Sequence, residues 1–390
     1  MKTSESRSPA GGIQGASSRL ERIRAALDEA RLDALMICAP GEENLGKSSR
    51  YYTSGFTGSA GVVLITKERA LIAADFRYTE QAERECAPRG FEVFKALESR
   101  KEWFPKFVAE AGIAGKRVGL STEDMTYAGR LALTALSRPL KPSERPQWRP
   151  APDIIGRLRR VKDADELRLL QAAIDISDRA FEQLEAELTP ETAETVAAEM
   201  FARNVKAEGG DDISFETIVA AGPNGAMPHA HPTPAPVGEG RPIVIDMGAK
   251  FGGYCSDLTR TIVLGEPDAK FREIYDIVFE AQQTAIERVE AGMKANAAHM
   301  LAQAVIDRAG YGDRFGHGLG HGVGLDVHED PYLGKSGTDT LEEGMVFTIE
   351  PGIYLPGWGG VRIEDVVVLE NGRARVLSKA RKLTPAGVAI

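Results

Sequence analysis

Residues 316–328 read GHGLGHGVGLDVH, which sets three of the chain's six histidines, His317, His321 and His328, within thirteen residues, with glycine at every second position from Gly316 to Gly324. Imidazole binds metals and carries protons near neutral pH, so the way the backbone presents these rings decides their chemistry. A helix is a poor host, because each glycine in a helical interior costs about 1 kcal/mol relative to alanine. The helical HExxH zinc arrangement is therefore excluded. In an extended chain successive side chains alternate faces, so His317, Leu319, His321, Val323 and Leu325 share one face while the glycines leave the other bare. His317 and His321 are expected to stand together.

Carboxylates that could meet these histidines occur in two further β-rich stretches. RPIVIDMGAKFGGYCSDLTRTIVLG (241–265) has two strand-like runs around Phe251-Gly252-Gly253, the pattern of a hairpin. A turn at 251–252 sets Asp246 opposite Asp257; a turn at Gly252-Gly253 sets Asp246 opposite Thr259, with Asp257 as its diagonal neighbour. Either register puts both aspartates on one face, roughly 5 to 8 Å apart at Cβ, whereas a three-residue loop without a bulge would part them. Two like charges so close raise a pKa unless a cation lies between them. The run GMVFTIEPGIYLPGWGGVRIEDVVVLENG (344–372) ends one strand at Glu350, before Pro351-Gly352, and carries Arg362 and Glu364 on one face of an otherwise apolar strand. A glutamate there has to be exposed, paired with a cation such as Arg362, or bound to metal. Taken singly, each of these carboxylates has an ordinary explanation. Together Asp246, Asp257, His321, Glu350 and Glu364 give four carboxylates and one imidazole. Four negative charges match two divalent ions, and metal lowers the pKa of a bound water to around 7. An oxygen-rich set with one nitrogen and no thiolate suits Mn²⁺, Co²⁺ or Fe²⁺ and admits Zn²⁺.

These residues need a scaffold, and 390 residues at 43% hydrophobic and 27% charged are enough for two domains of a soluble globular protein. Residues 1–17, rich in Ser, Gly, Ala and Pro, read as a flexible tail. From Ser18 to about residue 150, apolar runs at 32–37, 60–66 and 69–74 alternate with helix-like stretches at 19–30, 77–87 and 124–136, the pattern of an α/β domain. SRPLKPSERPQWRPAP (137–152) has five prolines in sixteen residues and reads as the linker. Domains are accordingly expected over 18–150 and 151–390. In the second, Asp163 to Leu188 has helical periodicity, Thr189-Pro190-Glu191 has the form of a helix start, and a third helix is expected over roughly Asp268 to Ala291.

In this order of motifs the chain resembles the pita-bread metallopeptidases, the family of methionine aminopeptidase, aminopeptidase P and prolidase, with creatinase as a metal-free cousin. The matching pieces are VIDMGA with Asp246, CSDLTRT with Asp257, HGLGHGVGLDVHE with His321, FTIEPGIY with Glu350 and VRIEDVV with Glu364, and the resemblance covers roughly residues 155–390. RYYTSGFTGSAGVVLIT (50–66) resembles the extra domain of aminopeptidase P, prolidase and creatinase, which methionine aminopeptidase lacks. The complete ligand set separates the chain from creatinase. The resemblance implies a creatinase/prolidase-like α/β N-terminal domain followed by an α+β pita-bread catalytic domain. It implies two divalent ions, Mn²⁺ first, bridged by Asp257 and Glu364, with Asp246 on one ion and His321 with Glu350 on the other. Glu350 would also take a proton from the attacking water, and His328 would stabilise the tetrahedral intermediate. His229, in NGAMPHAH, would contact the substrate backbone, and His317 and Arg362 would make the proline-side contacts. Since His328 and His321 fall on opposite faces of a straight strand, a bend or bulge must lie between them. His231 and His299 match no motif, and His299 reads as a surface or half-buried helix residue.

The implied activity is hydrolysis of the bond between an N-terminal residue and a following proline by an Xaa-Pro aminopeptidase. An Xaa-Pro dipeptidase is the alternative, and a family member acting on another small substrate, or a scaffold, is the further one. The family also implies a homodimer. A net charge of -9 gives no basic surface for nucleic acid, and no stretch approaches the roughly 18 to 20 apolar residues that span a bilayer. The glycines are no phosphate cradle, since neither GK[ST] nor a strand–GxGxxG–helix order is present. MKTSESRSPAGGIQGASS lacks the apolar core of a signal peptide, and the three spaced cysteines, Cys38, Cys86 and Cys255, fit reduced thiols. A cytoplasmic enzyme is expected.

Overall fold

The computed structural model describes residues 13–42 and 44–383. Of the tail expected over residues 1–17, residues 1–12 lie outside this description, and the remainder already belongs to the first helix. The chain divides into two units, one up to Arg159 and one from Arg160 onward.

The apolar runs of the first unit become six short strands, β1 (Ala34–Ile37), β2 (Val62–Thr66), β3 (Ala70–Ala74), β4 (Glu92–Lys95), β5 (Arg117–Ser121) and β6 (Gln147–Ala151), in one sheet of order β4-β3-β2-β1-β5-β6. Five helices accompany them: α1 (Ile13–Glu29), α2 (Lys47–Ser54), α3 (Thr79–Cys86), α4 (Arg100–Glu110) and α5 (Tyr127–Ser137). Trp103, Phe104 and Phe107 of α4 share a core with Leu64, Phe94 and Val118, each worth about 1.5–3 kcal/mol when fully buried. The proline-rich stretch, expected as a linker, instead completes this sheet. Pro150 is tolerated in β6 because an edge strand need not donate on its outer side.

Ile154–Arg160 forms α6, and the second unit then builds on two helix pairs, α7 (Ala164–Glu187) with α8 (Glu194–Ala207), and α9 (Ala269–Arg288) with α10 (Ala295–Arg308). Asp163 caps α7 by accepting from the N–H groups of Asp165 and Glu166, while the Glu166 carboxylate reaches back to the Asp163 N–H. Asp268 caps α9 through the Phe271 N–H. The helix start expected at Thr189-Pro190 is displaced to Glu194. Thr189 and Thr192 close a turn on each other, and Ala193 pairs with Pro236.

Strands β7 (Asp212–Ile213), β8 (Ile218–Ala221), β9 (Ile243–Met247), β10 (Ala249–Phe251), β11 (Tyr254–Cys255) and β12 (Leu258–Ile262) precede α9, and β13 (Gly320–Gly322), β14 (Glu329–Leu333), β15 (Val346–Ile349), β16 (Gly352–Leu355), β17 (Gly359–Arg362), β18 (Asp365–Glu370) and β19 (Arg373–Val376) follow α10. The first helix pair packs on β12-β9-β8 through Phe181, Phe201, Val219 and Ile245. The second pair covers β14-β13-β15-β18-β19 through Tyr275, Val278, Ile306, Phe347 and Val367. The hairpin of β10 and β11 turns at Gly252-Gly253, both with positive φ (57° and 87°), as a two-residue turn of this hand requires. Asp246 therefore opposes Thr259 in the β9–β12 pair. No helix among the described residues is long and apolar enough to cross a membrane. Cys38, Cys86 and Cys255 are free and buried.

Candidate metal centre

Crowding explains the glycines at 320 and 322, whereas a Cβ on Gly316 would meet nothing within 4 Å. Strand β13 is only three residues long and runs between β14 and β15, where a Cβ on Gly320 would lie 2.0 Å from the Thr348 carbonyl oxygen and one on Gly322 would lie 2.2 Å from that of Asp330. The single histidine-bearing face expected for 317–325 does not form. Leu319, Val323 and Leu325 are buried, Leu319 within the core under α9 and α10, and the pairing register shifts between His321 and Gly322. That shift is the bend His328 needs: its ring returns against His321, with centroids 4.4 Å apart. His317 and His321 nonetheless converge on Glu350, with His317 Nδ1 4.0 Å from Oε2 and His321 Nε2 3.4 Å from Oε1.

Three of the four carboxylates come from places where a strand starts, stops or breaks, and Asp246 comes from within one. Asp246 is on β9, Asp257 between β11 and β12, Glu350 one residue beyond β15, and Glu364 between β17 and β18. The run VRIEDVV, expected as one strand, is thus two strands in different sheets, and the break at Ile363-Glu364 is what lets Glu364 leave the ladder. His229, Asp246, Asp257, His317, His321, His328, Glu350, Arg362 and Glu364 all line one cavity of about 800 Å³. Asp257, His321 and Glu364 each offer a ligand atom, all within 4.8 Å of one another. Arg362 does not pair with Glu364. Its Nη2 meets Asp246 Oδ2 at 2.7 Å, while Glu364 accepts from Thr259 Oγ1 at 2.7 Å.

The electrostatics of this cluster favour a cation. Burial, followed by repulsion from neighbouring carboxylates, holds Asp257 and Glu364 well above the usual carboxylate range. Burial drives Glu350 up to about 8, with Arg362 opposing the rise and Asp246 adding to it. His321 Nδ1 donates to the Gly322 carbonyl at 3.1 Å, which leaves the Nε2 lone pair facing Asp257 and Glu350. Asp246 Oδ1 is buried and has no hydrogen-bond partner in the protein. An inward imidazole lone pair, an unpartnered carboxylate oxygen and mutually repelling carboxylates without thiolate fit hard or borderline divalent ions.

Arg362 and His317, beside these carboxylates, are held by hydrogen bonds. Arg362 Nη1 donates to the Tyr354 hydroxyl at 2.8 Å, and that hydroxyl donates to His317 Nε2 at 2.9 Å, since His317 Nδ1 already donates to the Gly318 carbonyl. Burial, aided by Arg362, pushes His317 down to about 4, so its ring is neutral. His328 is lowered by burial and by His321. Arg362 also donates to Thr259 Oγ1 at 3.0 Å and to the Pro228 carbonyl at 3.4 Å, next to His229. The loop that carries His229 is pinned by buried Glu194, which accepts from the Ala221 N–H, Asn224 Nδ2 and the Thr233 N–H and hydroxyl.

Sequence reasoning missed Thr259, Tyr354 and Glu194. Thr259 stood two residues beyond Asp257 and so on its face, and Tyr354 closed EPGIY, but nothing local marked Glu194. His299, expected as a surface or half-buried helix residue, is fully buried in α10 and stacked on Phe315 at 5.2 Å. His231 is exposed and does not line the cavity.

Known proteins resemble this chain along most of its length. The metallopeptidase family M24 matches residues 168–371, and the creatinase/prolidase N-terminal domain matches residues 19–161. An Xaa-Pro dipeptidase of Pyrococcus furiosus is 34% identical over 94% of this chain and 99% of its own length. The structure of an Xaa-Pro dipeptidase from Bacillus anthracis superposes with a TM-score of 0.85 at 36% identity, covering 94% of this chain and 98% of that one. An X-Pro aminopeptidase from Thermotoga maritima gives 0.83 at 34% identity, covering 91% and 97%.

Proposed function

This chain belongs to metallopeptidase family M24, with a creatinase/prolidase N-terminal domain ahead of the catalytic one, and from that premise we propose that it is an Xaa-Pro aminopeptidase, hydrolysing the bond between an N-terminal residue and a following proline. The observation that carries the reading is the convergence of four carboxylates and the inward Nε2 of His321 on one cavity that His229, His317, His328 and Arg362 also line.

Asp246, Asp257, His321, Glu350 and Glu364 would hold two divalent ions, Mn²⁺ first and Co²⁺, Fe²⁺ or Zn²⁺ as substitutes, which when bound supply a water of lowered pKa and polarise the scissile carbonyl. Glu350 holds the proton given up by the attacking water and returns it to the proline nitrogen as that leaves. His328, kept neutral by burial beside His321, donates its ring N–H to the oxygen on which negative charge develops. His229 contacts the peptide backbone. His317 and Arg362, tied together through Tyr354, shape the proline side.

Arg362 is the one lysine or arginine lining the cavity among the described residues, and Asp246, Thr259, Tyr354 and the Pro228 carbonyl already occupy it. These four partners take four of the five guanidinium N–H donors, so a dipeptide's terminal carboxylate would meet at most one further donor there, which supports longer peptides as substrates. The dipeptidase reading is the alternative, favoured by the names of the Pyrococcus and Bacillus relatives. We also propose a homodimer, for which light scattering at micromolar concentration should give twice the chain mass. The deciding experiment is hydrolysis of Ala-Pro and Ala-Pro-Ala by chelated protein with and without Mn²⁺, Co²⁺ or Zn²⁺. Metal-restored cleavage of the tripeptide supports the proposal, cleavage of the dipeptide alone makes the chain a dipeptidase, and no cleavage by loaded protein removes both.

A further inference from the structure

Arg260 follows Thr259 on β12, and Asp365 follows Glu364 at the start of β18. These two residues meet on the side away from their site-facing neighbours, with Arg260 Nη2 2.8 Å from Asp365 Oδ1 and both side chains almost wholly buried. We infer that Arg260 is a positioning residue of the metal centre and that the segment Ala380–Lys382 is part of the centre's frame, an assignment that rests on the metal-dependent reading above.

Glu364 sits in the break between two sheets, so no strand neighbour fixes its carbonyl. Arg260 Nη1 does so, donating to the Glu364 carbonyl at 2.6 Å and to the Thr259 carbonyl at 3.0 Å. Thr259 in turn bonds the Glu364 carboxylate through its hydroxyl and the Glu364 N–H through its carbonyl. One guanidinium thus closes the loop of bonds that aims the Glu364 side chain. Its remaining donors bind the chain's C-terminal segment: Nε meets the Ala380 and Arg381 carbonyls at 3.2 and 3.1 Å, and Nη2 meets the Ala380 carbonyl at 2.7 Å. Lys382 inserts its ammonium against Asp365, whose same oxygen accepts from Gln282 Nε2 at 3.1 Å. The segment is secured from outside by the Asp178 carboxylate, which accepts from the Lys379 and Ala380 N–H groups.

A lysine at 260 would keep the charge but not the planar fork that spans both carbonyls and the segment at once. Lys382 ties the segment to Asp365, and its replacement loosens this frame without touching any cavity-lining residue.

The test is Mn²⁺ titration calorimetry on chelated wild type, Arg260→Lys and Lys382→Met, followed by Ala-Pro-Ala kinetics across Mn²⁺ concentrations. Arg260→Lys should bind Mn²⁺ about 10- to 100-fold more weakly, as loss of a group supporting a ligand does. Lys382→Met should shift affinity in the same direction, and saturating Mn²⁺ should restore kcat in both with KM unchanged. Excess metal repairs a misplaced ligand but not a misfolded chain, so this recovery separates positioning from mere structure. Wild-type Mn²⁺ affinity in both variants overturns the assignment while leaving the metal reading intact. If Arg260→Lys fails to fold, Lys382→Met decides alone by the same criterion. Wild-type protein that binds no Mn²⁺ overturns both.

Discussion

Asp246 and Arg362 face one another at 2.7 Å, and this pair uses one carboxylate oxygen of Asp246 while the other stays buried without a protein partner. A buried ion pair that loses one member leaves an uncompensated charge, at a cost of about 3–5 kcal/mol. Arg362→Met should therefore lower the urea-unfolding free energy of metal-free protein by about that amount, and adding Asp246→Asn should recover much of the loss. A single-variant change below about 1 kcal/mol would mean that the pair is solvated in solution.

The raised carboxylates predict how metal binding depends on pH. Burial holds Glu350 at about 8 and lifts Asp257 and Glu364 in the same direction, so metal-free protein at pH 7 retains protons that an arriving cation must expel. Calorimetric Mn²⁺ binding at pH 7 should release at least one proton, seen as a heat that varies with the ionisation enthalpy of the buffer, and affinity should rise up to about pH 8. The native state binds more protons than the unfolded chain across this range. Metal-free stability should accordingly fall as pH rises from the ordinary carboxylate range through about 8, and Mn²⁺ should cancel the decline. A buffer-independent heat would contradict this account.

Burial and the repulsion of Glu364, Asp246 and Glu350 outweigh the pull of Arg362 on Asp257, which favours a proton or a bound cation there. Asp257→Asn should lose Mn²⁺ affinity by at least about 100-fold together with turnover, both measured on the same preparation. Full activity with metal retained would remove Asp257 from the site.

His328 stands over His321 without being placed among the five proposed ligands, and its contribution should appear in the rate and not in metal retention. His328→Ala should keep its Mn²⁺ stoichiometry and lose about 10²–10³ in kcat, the usual cost of removing one donor to a developing oxyanion. A large loss of metal would make the ring a support for His321 instead.

Much of this arrangement was legible because it depends on period and turn chemistry. Gly252-Gly253 limited the hairpin to few registers, and those that kept the aspartates together both put Asp246 and Asp257 on one face. Helical periodicity from Asp163 marked the start of α7, where the structure shows a capping box of Asp163 and Glu166. What escaped the sequence was set by distant partners. Pro150 reads as a breaker until β6 is known to be an edge strand. The start of α8 is displaced to Glu194, whose carboxylate is held by groups as far along the chain as Thr233. The run containing Arg362 and Glu364 looks continuous, and only the two sheets that it joins reveal the break. Arg260 reads as an ordinary alternating strand residue, and its partners at Ala380 and Arg381 lie more than a hundred positions away.

The cavity's acidic residues span Asp246 to Glu364, and the bonds that brace them reach Lys382. A chain emerging from the ribosome can complete its first unit early, since domains fold as units from the N-terminus. The second unit has no such freedom: until Glu364 has been added, the set of Asp246, Asp257, His321, Glu350 and Glu364 is incomplete. The full set exists only late in the chain's synthesis. A chain that stops before Glu364 would leave the ribosome folded at its front and short of one proposed ligand.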